Sequence, residues 1–150
     1  MPSGGARTGV TWTNANDLPC TNYEVVLDAM RVQGGDFFCG LTFPVGGDSC
    51  SFIVGGWGGG TVGLSNIDSE DASSNETTSS MNFANNRWFH FRVRVEPAKI
   101  QAWIDEDRVV NLDTTERRIG LRLEMEACVP LGLATWNTAA AWKNLQLKKL

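Results

Sequence analysis

Histidine occurs once, as His90, and tyrosine once, as Tyr23, in a chain of 150 residues. A lone imidazole excludes metal centres built on several histidines. It also leaves a Ser–His–Asp hydrolase only His90 as its base, and no GxSxG turn is present to offer a nucleophile. Cysteine is scarce as well: Cys20, Cys39, Cys50 and Cys128 show no CxxC spacing, which argues against structural zinc. No apolar run approaches the ~20 residues of a membrane-spanning helix. Basic charge is in deficit, with 13 Lys and Arg against 17 Asp and Glu, net -4. That is the wrong sign for a surface whose main partner is a nucleic-acid backbone. The glycines around Trp57 match neither GxGxxG nor a P-loop, since no lysine follows them, so nucleotide binding is set aside.

What the chain has is glycine, 16 in all, six tryptophans, and alternation. Along Arg87 to Val110 the period is two. Phe89, Phe91, Val93 and Val95 share one side, and Trp88, His90, Arg92 and Arg94 the other. Pro97 ends that strand, because it has no amide hydrogen to donate. Ile100, Ala102 and Ile104 then alternate with Gln101, Trp103 and Asp105. Asp105-Glu106-Asp107 reads as a hairpin tip, and Arg108-Val109-Val110 returns. An antiparallel meander with one apolar face follows.

The remaining segments are read in the same way. Met1 to Thr8 is short, glycine-rich and polar, which predicts a flexible start without the pattern of a signal peptide. A β-domain is expected over residues 9–150, with a first strand at Gly9 to Thr13 carrying Trp12 and a loop over Asn14 to Pro19. Asn22 to Val32 is expected to be a strand covered on both faces. Phe37, Cys39, Leu41 and Phe43 form an inward set, continued after a Pro-Val-Gly-Gly turn by Cys50, Phe52 and Val54. Cys39 and Cys50 fall nearly opposite in that hairpin, as a bridge or as buried free thiols. Thr61 to Ile67 is a strand. Asp68 to Ser80 is the most polar run and reads as a long surface loop, functional or disordered. Asn111 to Arg117 is a polar connection. Ile119, Leu121, Leu123 and Met125 alternate with polar partners and predict a strand through Glu126. Pro130 to Trp136 is another strand, Asn137 to Ala140 a turn or loop, and Lys143 to Leu150 a closing strand, with a helix from Thr138 as the rival. The count of ten to eleven strands gives an all-β fold of two packed antiparallel sheets with little or no helix.

The stretch GGWGGG–VGLSNID–SEDASSNET, then NNRWFHFRVRVEPAKIQAWIDEDRVV, and last PLGLATWNTAAAWKNLQLKKL resemble the concanavalin A-like lectin and glucanase jelly rolls. Their nearest branch is the 3-keto-disaccharide hydrolase family. The resemblance spans roughly residues 20 to 150. It implies a jelly-roll sandwich whose sugars bind on the hollowed sheet or at its rim, sometimes with a structural calcium, as in domains common in bacterial proteins; the lack of a signal-peptide pattern leaves two expectations open, a cytosolic protein or a trimmed domain of a larger one.

Several residues are candidates for chemistry. The laminarinase-type E–x–D–x–x–E strand motif is missing, so glycoside hydrolysis would have to draw on Asp68, Asp71, Glu76 and His90 as acid–base groups. Asp68, Glu70, Asp71, Asn75 and Glu76 lie close enough in sequence to offer oxygens to calcium, with Asp68, Glu70 and Asp71 as the first choices. Sugar binding needs an aromatic ring for the apolar face of a pyranose, and amides, carboxylates and guanidinium groups for its hydroxyls. Trp57 with Asn66, Asp68, Asp71, Asn75 and Glu76 supplies these on a rim loop; Trp88, His90 and Arg92 supply them on a strand face. Trp103 and Trp136 add to either. Arg92 and Arg94 could instead pair with Glu124 and Glu126. A non-catalytic carbohydrate-binding module is the leading expectation, ahead of a 3-keto-disaccharide hydrolase-like enzyme and of a structural or protein-binding appendage.

Overall fold

The computed structural model describes residues 7–12 and 18–150. Among the described residues eleven strands run in chain order: β1 (Arg7–Trp12), β2 (Tyr23–Gly34), β3 (Cys39–Val45), β4 (Asp48–Gly56), β5 (Thr61–Ser65), β6 (Ser79–Ser80), β7 (Phe89–Glu96), β8 (Lys99–Ile104), β9 (Asp107–Asp113), β10 (Leu131–Trp136) and β11 (Thr138–Lys149). They form two antiparallel sheets, a six-stranded one ordered β1-β10-β3-β4-β5-β6 and a five-stranded one ordered β11-β2-β7-β8-β9. The two antiparallel sheets are those the alternation predicts, and the fold is the all-β jelly-roll sandwich the resemblance implies.

The meander is where the pattern puts it. Phe91 faces Ile104, Val93 faces Ala102 and Val95 faces Ile100 across β7 and β8, so each apolar residue meets another on the inner side. The inward positions of β2, Tyr23, Val25, Leu27 and Ala29, are fully buried beside them. From the other sheet come Leu41, Phe43, Phe52, Val54, Val62 and Leu64, in one continuous cluster. Phe38 meets Phe83 edge-on at 5.3 Å between ring centres, and Phe83 meets Phe89 at 5.1 Å. Each such side chain contributes about 1.5–3 kcal/mol through burial.

The outer face of the six-stranded sheet is also covered, and here the structure corrects the reading. Residues 119–126 do not form a strand: Ile119 makes a single bridge to Ile67, and Leu123–Cys128 is a 3-10 helix. This strap lies across the sheet with Met125 and Cys128 packed on Ala134, Ile53, Phe37 and Ala72. It can lie close because the outward positions beneath it are small. A Cβ on Gly132 would come within 2.7 Å of the Cys128 carbonyl oxygen, and one on Gly40 within 3.2 Å of the Met125 methyl group. The apolar alternation was real, but it serves packing onto a sheet face rather than membership of a sheet.

Other boundaries also move. Phe37 belongs to the outer cluster and Phe38 to the inner one, since β3 starts only at Cys39 and the bend at Asp36 resets the alternation. Residues 111–113 extend β9, and Thr138 to Ala140 open β11 rather than forming a turn. The rival C-terminal helix does not form, because β11 pairs with β2 from Thr138 to Lys149, with register shifts between Ala139 and Ala140 and between Lys143 and Gln146. Cys50 sits opposite Phe43 and Cys39 opposite Val54, so the two thiols are four registers apart and remain free. Burial pushes each up to about 12. β1 starts at Arg7, inside the expected flexible start; the rest of that start and most of the Asn14 to Pro19 loop lie outside the described residues.

Candidate functional site

A cavity of about 220 Å³ opens on the outer face of the six-stranded sheet, at the end where the β2–β3 and β4–β5 connections meet the end of β10. It is lined by Asp36, Phe37, Ile53, Trp57, Arg122, Met125 and Trp136. Three aromatic rings therefore surround one opening, with one carboxylate and one guanidinium.

Local sequence explains each placement. Trp57 stands in a glycine-rich turn because that turn runs through the left-handed region: φ is 85° at Gly55, 47° at Trp57, 93° at Gly58 and 116° at Gly59. Glycine adopts such angles without cost, and the flanking glycines leave the indole clear of sequence neighbours. Trp57 stays 40% exposed, which makes it a rim residue rather than a core one. Phe37 and Trp136 are tied together: the Trp136 amide donates to the Phe37 carbonyl at 3.2 Å, and the rings lie 6.4 Å apart. Asp36 accepts the Phe37 amide through Oδ1 at 2.7 Å, and its own amide donates to Thr138 Oγ1 at 3.1 Å. Arg122 comes from the strap. Its guanidinium stands 5.4 Å from the Trp57 ring centre and 3.7 Å from the Asp71 carboxylate. The arrangement offers apolar ring faces to a pyranose, with an acceptor at Asp36 and donors at Arg122 for its hydroxyls.

The structure distributes the sequence candidates over three places. Trp57 is in the cavity, joined there by Trp136, which the sequence offered to either face. Asn66, Asp68, Glu70, Asp71, Asn75 and Glu76 lie in the β5–β6 connection, which is folded on itself. Asn75 holds it: Nδ2 donates to the carbonyls of Leu64 at 2.7 Å, Asp71 at 2.8 Å and Glu70 at 3.1 Å, while Oδ1 accepts the Thr77 amide at 2.8 Å. Asp68 accepts the Arg118 amide at 2.8 Å and Arg117 Nε at 2.6 Å. These two donors, the Arg118 amide first, hold the Asp68 carboxyl below its usual range. Glu76 binds the same Arg117 guanidinium. Asp71 accepts the Ser73 amide at 2.9 Å and reaches the cavity only through Arg122. The backbone of Asn66 pairs with Gly120.

Calcium does not fit this connection. Among the described residues no three carboxylate, imidazole or thiol groups converge. Asp68 and Glu76 already share an arginine cation, which would repel a second one.

Trp88, His90 and Arg92 face outward from the five-stranded sheet, across the core from Trp57. His90 Nδ1 lies 2.8 Å from Asp28 Oδ1, and Asn144 Nδ2 donates to Asp28 Oδ2 at 2.9 Å. Partial burial would raise the Asp28 carboxyl, but the hydrogen bonds from Asn144 and His90 outweigh it and the net shift is downward. Lys143 caps the Trp88 ring at 4.0 Å and Arg92 stacks on Trp103 at 4.1 Å. Arg94 pairs with Glu24 and Glu96 of its own sheet, where the sequence had offered Glu124 and Glu126. Sequence reasoning missed Asp36, Phe37, Arg122 and Met125 and left Trp136 unassigned. The signal within reach was compositional: outward positions on β7 (His90, Arg92, Arg94 and Glu96) are ionisable, while most of those on β3 to β5 are glycine, serine or threonine around a single Ile53. That difference separates a solvated face from a covered one.

The comparisons agree on the fold. The sequence model of the 3-keto-alpha-glucoside-1,2-lyase-like domain matches residues 6–148. No curated protein matches the chain by sequence. Among solved structures, the carbohydrate-binding module CBM66 from Bacillus subtilis superposes with a TM-score of 0.64 at 12% identity, covering 97% of this chain and 84% of that one. CG-16, a homodimeric agglutinin from chicken liver, gives 0.55 at 12% identity over 95% of this chain and 99% of its own. A putative glycosyl hydrolase from Parabacteroides distasonis ATCC 8503 gives 0.50 at 14% identity over 86% and 72%. At such identities the likeness establishes the architecture alone.

Proposed function

The chain belongs to the 3-keto-alpha-glucoside-1,2-lyase-like domain family, and from that membership we propose that it binds a carbohydrate in the cavity framed by Phe37, Trp57 and Trp136. The single observation carrying this is the convergence of three rings with Asp36 and Arg122 at one opening. A pyranose needs that combination: flat apolar surface against its axial C–H groups and charged partners against its hydroxyls. Structural neighbours whose names include a carbohydrate-binding module and an agglutinin support the same reading.

Binding without turnover is the form the cavity favours. Hydrolysis with retention or inversion uses two carboxyl groups flanking the bond. Among the described residues one carboxylate, Asp36, lines the cavity, and the expected acid–base set of Asp68, Asp71, Glu76 and His90 is spread over other surfaces. The family description favours a second reading, 1,2-elimination from a 3-keto-glucoside: one base removes the C2 proton beside the ketone, the C1–O bond breaks as the C1=C2 double bond forms, and the departing alkoxide is protonated from water. In this chain that base is Asp36.

Titration calorimetry against a glycan panel, with methyl α-glucoside and its 3-keto derivative included, tests both. Trp57→Ala and Trp136→Ala are expected to weaken binding about tenfold each, whereas Trp88→Ala and His90→Ala leave it unchanged. A ligand whose affinity ignores both cavity tryptophans sinks the assignment. Turnover of the 3-keto glycoside that is lost in Asp36→Asn would establish elimination over binding alone.

A further inference from the structure

The inner face of β2 is apolar at Tyr23, Val25, Leu27 and Ala29, and the next residue in that register is Arg31. An arginine two places along from an alanine shares its face, so the guanidinium enters the end of the sandwich. Arg31 is 5% exposed. Its hydrogen-bond partners are all main-chain oxygens. Nη2 donates to the carbonyls of Gly59 at 2.9 Å, Asp36 at 3.0 Å and Gly55 at 3.1 Å, and Nη1 to that of Phe83 at 3.3 Å. The Phe38 ring lies 5.1 Å below the guanidinium. Burial works against its charge and the Asp36 carboxylate works for it. An arginine stays protonated in either case, so a cation is permanently seated in a cage of carbonyls.

Those carbonyls are not scattered. Gly55 and Gly59 bracket Trp57, and Asp36 precedes Phe37. One side chain from the five-stranded sheet thus ties the β4–β5 turn of the opposite sheet to the β2–β3 connection between the sheets, and these two carry part of the cavity's rim. The turn is also shaped around it: a Cβ on Gly55 would come within 2.5 Å of Nη2. A neutral or shorter side chain would take this donor from the Gly55 carbonyl in a buried place and from those of Asp36 and Gly59 at its edge.

We propose that Arg31 is the positioning residue of the carbohydrate site, holding Trp57 and Asp36 in register with each other from behind. The proposal rests on the assignment of the cavity as the binding site, but its first readout needs no sugar. The Trp57 contribution to fluorescence is taken as the spectrum of each protein minus that of its Trp57→Phe counterpart. In Arg31→Lys and Arg31→Met this difference spectrum is expected to shift to longer wavelength and to be quenched more by acrylamide. Ile100→Val, at the far end of the core, lowers the melting midpoint and leaves the Trp57 signal as it was. Affinity for methyl 3-keto-α-glucoside is expected to fall about tenfold in Arg31→Lys and to stay constant in Ile100→Val. An unchanged Trp57 signal in both arginine variants overturns the proposal. A changed signal with no sugar affinity in any variant, the unsubstituted protein included, leaves the positioning role standing and removes the sugar assignment. Should both variants fail to fold, nuclear magnetic resonance of the unsubstituted protein decides. Arg31 should then show separate, slowly exchanging Nη signals, and a single averaged signal overturns the proposal.

Discussion

Asn75→Ala is expected to loosen the β5–β6 connection more than any change to its charged residues. The amide of Asn75 donates to the carbonyls of Leu64, Glu70 and Asp71 and accepts both the amide of Thr77 and its hydroxyl, the last at 2.5 Å. Thr77 is buried, and its hydroxyl in turn accepts the Leu64 amide at 2.9 Å. A net hydrogen bond contributes about 1 kcal/mol. The contact with Glu70 is solvent-exposed, and three acceptors share two protons, so the sum is discounted to about 2–3 kcal/mol. In a chain of this size each kcal/mol moves the midpoint by about 2–4 °C, which places the expected fall at about 4–12 °C. Glu76→Ala is the comparison. It removes an ion pair whose partners are 55% and 27% exposed, and such pairs contribute about 0–1 kcal/mol. Asn75→Asp should be worse than Asn75→Ala, since it sets a carboxylate against the Leu64 and Asp71 carbonyls. Differential scanning calorimetry of the three variants checks the ranking; a midpoint for Asn75→Ala within a degree of the unsubstituted protein refutes the reasoning. The same contacts explain the sequon Asn75-Glu76-Thr77: its amide nitrogen is spent on the fold, and a glycan there would displace the connection.

Acid should weaken the strap. The Asp68 carboxyl is held low by Arg118 and Arg117, so its stabilisation is complete above the ordinary aspartate range, near 4, and is lost as pH falls through its depressed folded value. A melting midpoint that declines below about pH 4 in the unsubstituted protein and declines less in Asp68→Asn is the expected record; parallel curves would count against it. Thiol titration with an aromatic disulfide should give one fast equivalent from exposed Cys20 and slow reaction at buried Cys39, Cys50 and Cys128, with all four reacting in denaturant. A mass two units light, the mark of a bridge, would contradict the register between β3 and β4. Gly63→Ala should lower stability by about 1–3 kcal/mol, because its methyl group meets the Ala72 carbonyl at 2.9 Å; urea unfolding measures it.

The meander was legible because both of its faces carry their own signature. Phe89 to Val95 point into the core, and His90, Arg92 and Arg94 find partners in their own sheet. Alternation failed where a segment is apolar on one side without a ladder to join. Leu121 to Cys128 needed a surface, and the surface was an outer sheet face whose small residues read as solvent-facing. Thr42, Ser51 and Ser65 on that face are fully buried, with Thr42 and Ser51 hydrogen-bonded at 2.7 Å. Size, not polarity, is what lets the strap approach.

The cavity shows why its residues escaped a linear reading. Trp57 was visible from its glycines alone, but Asp36, Arg122 and Trp136 arrive from connections far apart in sequence, and nothing local marks them as neighbours. What brings them together is the second covering layer. Once the strap lies across the six-stranded sheet, its Arg122 must stand beside the β4–β5 turn, and the end of β10 must stand beside Phe37. The cavity is then the part of that outer face which the strap leaves uncovered. It follows that strap and cavity are coupled: a change that lifts the strap, such as loss of the Asp71 contact to Arg122, should enlarge the opening and free Trp57 without touching the inner core. Asp71→Ala tests this directly. Trp57 should become more accessible to acrylamide while the melting midpoint moves little, since the ion pair spans 3.7 Å at the surface. An unaltered Trp57 signal would instead mean that the strap keeps its place without the Asp71 contact to Arg122.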